Sequence, residues 1–208
     1  MDSLVLELQR DALDRSIHIT DLLRKALLVS RKLKIKDIEA WIYSELNGYK
    51  ENLIPEYRIV YGELKAFNPY VGWIPVTVDK QLDKMIRRQN VFLSVSQIES
   101  LADKSEGGNF VIKFQSTQAN MIMRLMGEQF EPALYVPTHH LIRIIDTTKT
   151  KILEFALGLE EKGVLGNGIV FSKDDQIRAQ TINYNTINIQ HMENSQIQQD
   201  SDGASQRQ

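Results

Sequence analysis

The sequence predicts an α+β fold, with an N-terminal three-helix unit, a few short strands, a long C-terminal helix and a polar tail. Residues 1–48 carry apolar side chains at helical spacing, three later segments are rich in β-forming residues, and residues 138–163 repeat apolar positions in steps of three and four. At 208 residues, the chain is long enough to bury one core without disulfides or a structural metal.

The N-terminal unit is predicted to contain three amphipathic helices. The first covers Ser3 to Arg15, the second begins at the N-cap Thr20, and the third runs from Lys36 to Asn47. Each helix carries its apolar residues on one face, and an asparagine followed by glycine is a typical helix end. The three apolar faces are therefore expected to pack together.

The middle of the chain is predicted to alternate short strands with short helices. Strands are expected at Tyr57–Leu64, Gly72–Thr77 and Phe110–Phe114, because these runs are rich in β-branched and aromatic residues. Pro75 cannot donate a hydrogen bond to a neighbouring strand, so the second segment is expected to be either an edge strand or an irregular extended piece. Helices are expected at Asp79–Asn90 and Ser96–Lys104. In Gln118–Gly127 the apolar residues are too dense to separate a buried helix from a buried strand, and a helix is the preferred interpretation.

The longest predicted helix begins at Thr138 and ends at Gly163. Its apolar stripe follows heptad spacing, which would suit either a core helix or one strand of a coiled coil. Ile142 and Leu157 widen the apolar face beyond the seam of a two-stranded coiled coil. We therefore expect this helix to pack on the N-terminal helices rather than on a second chain.

The composition narrows the class of protein. The chain has no cysteine, which removes thiol nucleophiles, cysteine zinc sites and disulfides and favours the cytoplasm. No apolar run reaches the roughly 20 residues of a membrane-spanning helix, and Met1–Ser3 lack the basic start of a signal peptide. A formal net charge of -2 gives no general attraction to nucleic acid. The expected protein is cytoplasmic, without a membrane span.

The sequence contains no familiar catalytic or metal-binding arrangement. His139 and His140 are adjacent, so on a helix they point about 100° apart and cannot share a metal as an i, i+4 pair can. Glu63 and Lys65 form a Glu-x-Lys of the kind found in nucleases, although an ordinary pair of charges at a strand edge is the preferred interpretation. No cofactor is expected, and the sequence favours a binding protein over an enzyme. A nucleolytic toxin with a non-obvious active site remains the alternative.

The second helix offers another alternative, a nucleic-acid-binding surface. Six basic residues and no acidic ones lie between Asp21 and Asp37, and the candidate phosphate contacts are Arg24, Arg31 and Lys32. A solvated helix face explains the same pattern. Nucleic acid is therefore not the expected partner.

The chain is predicted to consist of a domain over residues 1–172 and a tail over residues 173–208. The tail is rich in Asn, Gln, Ser and Asp, with isolated apolar residues that alternate with polar ones over short stretches. Such a segment is either disordered or becomes β-structured when copies stack and pair their backbones. The candidate oligomer interface consists of Tyr184, Ile187, Ile189, Met192 and Ile197.

Several runs resemble the AbiTii domain of bacterial abortive-infection proteins. They are Leu22–Leu27, Trp41–Tyr49, Pro55–Arg58, Trp73–Pro75 and Ile145–Gly163. The resemblance covers most of residues 1–172 and is marked by Trp41, Glu45, Gly48 and Tyr49, for which core packing and turn formation are the simplest roles. It implies a part in defence against bacteriophage and lends no catalytic residues. The expected partners are further copies of the chain, an effector or a phage protein.

Overall fold

A computed structural model describes residues 3–50, 54–105, 108–182 and 184, and it confirms the α+β class. The N-terminal unit consists of α1 (Leu4–Leu13), α2 (Ile19–Leu33) and α3 (Lys36–Asn47). The bounds of α3 are those predicted, and α2 begins one residue before Thr20, with His18 at its N-cap. At the start of α1, the Ser3 hydroxyl accepts the Leu6 amide at 3.3 Å, as an N-cap should.

The middle and the end of the chain add six strands and five helices among the described residues. After a short 3₁₀ helix, Glu56–Arg58, they are β1 (Ile59–Tyr61), β2 (Glu63–Asn68), β3 (Gly72–Pro75), α4 (Lys80–Arg87), β4 (Arg88–Asn90), α5 (Val95–Lys104), β5 (Asn109–Lys113), α6 (Ser116–Met126), β6 (Glu131–Pro137), α7 (His139–Glu161) and α8 (Lys173–Gln180). Four strands form an antiparallel sheet in the order β3-β2-β6-β5, and β1 pairs with β4 separately. The strand with Pro75, β3, lies at a sheet edge, which is one of the two predicted alternatives.

The predicted strand Tyr57–Leu64 is divided between three elements, the 3₁₀ helix, β1 and β2. The division falls at Gly62, where a Cβ atom would lie 2.5 Å from the Leu134 Cγ of β6. Only glycine lets the backbone pass β6 this closely. At this point the chain changes partner, from β4 to the four-stranded sheet.

Two further segments differ from the sequence expectation. The predicted helix Asp79–Asn90 ends early, because residues 88–90 become β4 and pair with β1. The strand β6 was not predicted at all. It carries Pro132 and Pro137, which cannot donate ladder hydrogen bonds, yet it lies between β2 and β5.

The long helix α7 packs against both buried apolar clusters of the domain. Its C-terminal half contributes Ile152 and Phe155 to a cluster with α1, α2 and α3, which we call the helical cluster. Its N-terminal half contributes Leu141 and Ile144 to a cluster with the sheet and α5, which we call the sheet cluster. Ile145 contacts both clusters. The helix therefore packs within the chain, on the N-terminal helices, as its wide apolar face predicted.

Folded packing continues past residue 172, the predicted end of the domain. Ser172 and Asp175 form a capping box that opens α8, and the buried Ala179 and Tyr184 join the helical cluster. A polar segment with single apolar residues gives no periodic signal for such a helix. The tail residues Ile187, Ile189, Met192 and Ile197 lie outside the described residues.

Candidate functional site

A buried ion pair joins Glu45 of α3 to Arg58 of the 3₁₀ helix, and both side chains are fully buried. The Arg58 Nη2 donates to the Glu45 Oε2, and its Nε donates to Oε1 at 3.2 Å. The Arg58 Nη1 donates to the carbonyls of Val91 and Leu93, at 3.3 Å and 2.5 Å. Such a pair is tolerated inside a protein because each charge neutralises the other and hydrogen bonds replace the lost water.

Four more side chains complete this group, which we call the Glu45 cluster. The hydroxyls of Tyr49 and Tyr57 donate to the Glu45 Oε1, the former at 2.5 Å. The Trp41 Nε1 donates to the Tyr57 hydroxyl at 2.9 Å. From α7, the Thr148 hydroxyl lies 3.4 Å from the Glu45 Oε2. The Glu45 cluster thus ties α3, the 3₁₀ helix and α7 together.

The Glu45 cluster holds its protons firmly. Burial, followed by the Glu45 charge, raises the pKa of Tyr49 and Tyr57 above the ordinary value of 10.0. For Arg58, burial alone would lower the pKa, but the Glu45 carboxylate outweighs it and raises the pKa. The two phenols and the guanidinium therefore stay protonated throughout the physiological pH range, which suits a structural role.

Gly48 sets the turn that brings Tyr49 to Glu45. Its φ of 91° favours glycine, and a Cβ atom there would lie 2.7 Å from the Phe92 carbonyl oxygen. That same oxygen accepts the Tyr49 amide at 2.8 Å. The four residues that mark the AbiTii resemblance thus lie in one assembly, in packing and turn positions.

An open pocket of about 490 Å³ lies beside the Glu45 cluster and shares Tyr57 with it. We call it the basic pocket, because three of its lining residues, Arg88, Arg143 and Lys151, are cationic. Lys151 is only 8% exposed, and its Nζ lies 5.5 Å from the centroid of the Tyr57 ring. Burial lowers the pKa of Lys151, against the opposing effect of the Glu154 and Glu45 charges.

The predicted phosphate contacts on α2 are partly engaged within the chain. Arg24 pairs with Asp21 at 3.1 Å, and the Arg31 Nε pairs with Glu39 of α3 at 3.0 Å. Lys32 is half-buried. Acidic residues of α2 itself and of α3 therefore partly neutralise the basic residues of α2, which lowers their attraction for phosphate.

The Glu-x-Lys pair lies on the exposed face of the four-stranded sheet. The Lys65 Nζ is 3.1 Å from the Glu63 carboxylate and 4.9 Å from the centroid of the Tyr135 ring. Glu56, the preceding acid in the sequence, lies at the basic pocket instead. The structure thus does not bring a second carboxylate from Glu56 to this pair.

His139 and His140 begin α7 with their ring centroids 4.4 Å apart. Burial lowers the pKa of His140, and electrostatic interactions with the neighbouring His139 and with Arg143 lower it further. Within the described ranges, no group of three or more His, Asp or Glu side chains could hold a metal ion. None of the helices in those ranges is long and apolar enough to cross a membrane.

Sequence reasoning missed both the Glu45–Arg58 pair and the basic pocket. Arg58 follows Tyr57 in a run of β-forming residues, and nothing in that run indicates burial of a charge. The pocket did leave a signal, since Arg143, Thr147 and Lys151 recur in steps of four along the predicted long helix. Arg88 could not have been added, because it reaches the pocket through the unpredicted pairing of β4 with β1.

Comparison with known proteins gives one match. The sequence model of the AbiTii family matches residues 3–184, which is most of the chain and includes both α8 and Tyr184. No curated protein and no solved structure matches the chain.

Proposed function

The chain belongs to the AbiTii family of bacterial abortive-infection proteins, whose role is phage defence, and we propose that it performs this role by assembling with further copies of itself. The assembling segment is the Asn/Gln-rich tail that follows Tyr184. Within it, Ile187, Ile189, Met192 and Ile197 form the shared interface.

The observation that carries this proposal is the anchoring of Tyr184. Its side chain is buried, its ring centroid lies 5.7 Å from that of Phe155, and its hydroxyl donates to the Ala179 carbonyl at 2.9 Å. Tyr184 therefore serves as the attachment point of the tail rather than as part of the interface. Fixing the start of the tail on the domain reduces the freedom that assembly must remove.

The composition of the tail supports assembly through β-structure. Ile187-Asn188-Ile189-Gln190 alternates apolar and polar residues, and Asn194-Ser195-Gln196-Ile197 continues in the same style. Stacked copies of such a segment pair their backbones and align their amide side chains in ladders. A single copy has too few apolar residues to pay for its own ordering.

Removing the tail tests the proposal. A chain ending at Asn185 keeps α8 and the Tyr184 anchor, whereas a cut near Asp175 would also remove Ala179 and Tyr184 from the core. We expect light scattering to give a multiple of the chain mass for the full-length protein and the single-chain mass for the shortened one. Equal states of association for the two proteins would contradict the proposal.

Point substitutions separate a specific interface from a general loss of apolar surface. Ile187→Ser and Ile189→Ser should each weaken assembly, and together they should abolish it, with loss of protection in a phage plaque assay. Ile177→Ser is the matched control, because Ile177 is 64% exposed on α8 and belongs to the domain. Weakening of assembly by Ile177→Ser alone would place the interface on the domain instead of the tail.

A further inference from the structure

We propose that the basic pocket binds a phosphorylated small molecule of nucleotide size. This inference goes beyond self-assembly and does not depend on it, because the pocket and the tail use different residues. Three cationic side chains line one concave surface of the fold.

One wall of the pocket is a face of α7. Arg143, Thr147 and Lys151 follow one another in steps of four, which aligns their side chains along the helix. Arg88 comes from β4, in the two-stranded ladder where it is paired in register with Tyr61 of β1. Two cations and a hydroxyl from the helix thus line the same pocket as a cation from the ladder.

The two arginines have donors to offer. Neither Arg88 nor Arg143 forms an ion pair with a carboxylate in the described part of the chain. The Arg143 Nη2 donates to the Ile59 carbonyl at 3.1 Å, a contact that orients the guanidinium and leaves other N–H groups for a ligand. Guanidinium groups bind phosphate with two parallel hydrogen bonds, so this pair suits a phosphate better than an uncharged ligand.

The size and the aromatic lining indicate a small molecule. A volume of about 490 Å³ falls within the usual range for small-ligand pockets. The Tyr61 side chain is 55% exposed and offers a ring face on which a base can stack. A nucleotide combines a flat ring with phosphates and so matches both features.

One lining residue opposes such a ligand. Among the lining residues that the structure describes, Glu56 is the one that carries a carboxylate. Its negative charge repels phosphate. Neutralising the Glu56 carboxylate should therefore strengthen phosphate binding rather than weaken it.

Calorimetric titration of the full-length protein provides the first measurement. We expect ATP and inorganic pyrophosphate to bind, and adenosine, which has the ring without phosphates, to bind at least about tenfold more weakly than ATP. Binding should weaken as the salt concentration rises, since exposed charges are screened. A 5′-phosphorylated oligonucleotide that binds while ATP and pyrophosphate do not would overturn the small-molecule proposal.

Four variants locate the site. Arg88→Gln and Arg143→Gln should each weaken ATP binding at least about tenfold, the usual worth of a charge-assisted hydrogen bond. Glu56→Gln should strengthen it by about threefold or more, the effect of removing a nearby like charge. Arg24→Gln, on the basic face of α2, is the control and should leave binding unchanged. Circular dichroism melting curves confirm that each variant is folded.

The opposite results would overturn the proposal. They are absence of ATP and pyrophosphate binding at millimolar ligand concentration, loss of binding in Arg24→Gln with no change in Arg88→Gln, or weaker binding in Glu56→Gln.

Discussion

Glu45 and Arg58 each lose their hydrating water on folding. Hydrogen bonds within the Glu45 cluster replace that water at both charges. Substituting Glu45→Gln keeps the shape but leaves the Arg58 charge buried without its counter-charge. We expect a loss of about 3–5 kcal/mol in the free energy of unfolding, measured by urea denaturation. Glu39→Gln, which removes a carboxylate paired with Arg31 nearer the surface, should cost about 1 kcal/mol or less. Similar losses in the two variants would contradict this prediction.

The tyrosines of the Glu45 cluster make stability depend on alkaline pH. The pKa of Tyr49 and Tyr57 is raised in the folded state, so the folded protein holds these protons more tightly than the unfolded chain does. The stability that this contributes is fully present below pH 10.0 and is lost as the pH rises above it, by about 1.4 kcal/mol per pH unit for each tyrosine.

Urea denaturation at a series of pH values from about 8 to about 11 measures this slope. Tyr49→Phe should reduce it, because one of the two phenols is removed. Tyr61→Phe is the control, since Tyr61 is exposed and lies outside the Glu45 cluster. A slope that is the same in Tyr49→Phe as in the parent protein would contradict the assignment.

The residues of the Glu45 cluster could be predicted only in part from the sequence. Trp41, Glu45, Gly48 and Tyr49 were singled out together because they mark the resemblance to the AbiTii domain at the end of one helix. Their partner Arg58 could not be assigned, since only the fold brings it within hydrogen-bonding distance of Glu45. A sequence reports the spacing of residues on one element, but not which charge from another element faces them.

At the scale of the element, Gly48 controls how α3 ends. Gly48→Ala would incur the strain of a left-handed backbone and would also push a methyl group to 2.7 Å from the Phe92 carbonyl oxygen. Gly72 has a similar φ of 85° with nothing within 4 Å of an added Cβ atom, so Gly72→Ala incurs the strain alone.

We therefore expect Gly72→Ala to cost about 1–2 kcal/mol of unfolding free energy and Gly48→Ala distinctly more. Thermal melting of the two variants beside the parent protein measures the difference. If Gly48→Ala melts at or above the temperature of Gly72→Ala, the close approach to Phe92 is not limiting.

The elements that could be predicted are those whose own apolar pattern decides them. The bounds of α3 followed from its stripe and its terminal glycine, and α7 followed from its long repeat. By contrast, β6 and β4 exist because neighbouring strands accept them, and local sequence gives little sign of that. For α8 the decisive contacts are two buried side chains, Ala179 and Tyr184, in an otherwise polar segment.

At the scale of the whole molecule, α7 connects what would otherwise be two separate cores. Ile152 and Phe155 belong to the helical cluster, and Leu141 and Ile144, earlier on the same helix, belong to the sheet cluster. Loss of either cluster would expose one half of the helix, and a partly exposed apolar helix has little stability of its own. The described domain should therefore unfold as a single unit.

The two tryptophans allow this last prediction to be tested, because Trp41 lies in the helical cluster and Trp73 lies on the four-stranded sheet. In Trp41→Phe the remaining fluorescence reports on the sheet, and in Trp73→Phe it reports on the helices. Trp41→Phe also removes a hydrogen bond to Tyr57, so each variant is compared only with itself. Within each variant, urea denaturation followed by fluorescence and by far-ultraviolet circular dichroism should give the same midpoint, as one cooperative transition requires. If the Trp73 signal were lost at a lower urea concentration than the helical signal, the sheet would unfold first and α7 would not couple the two clusters.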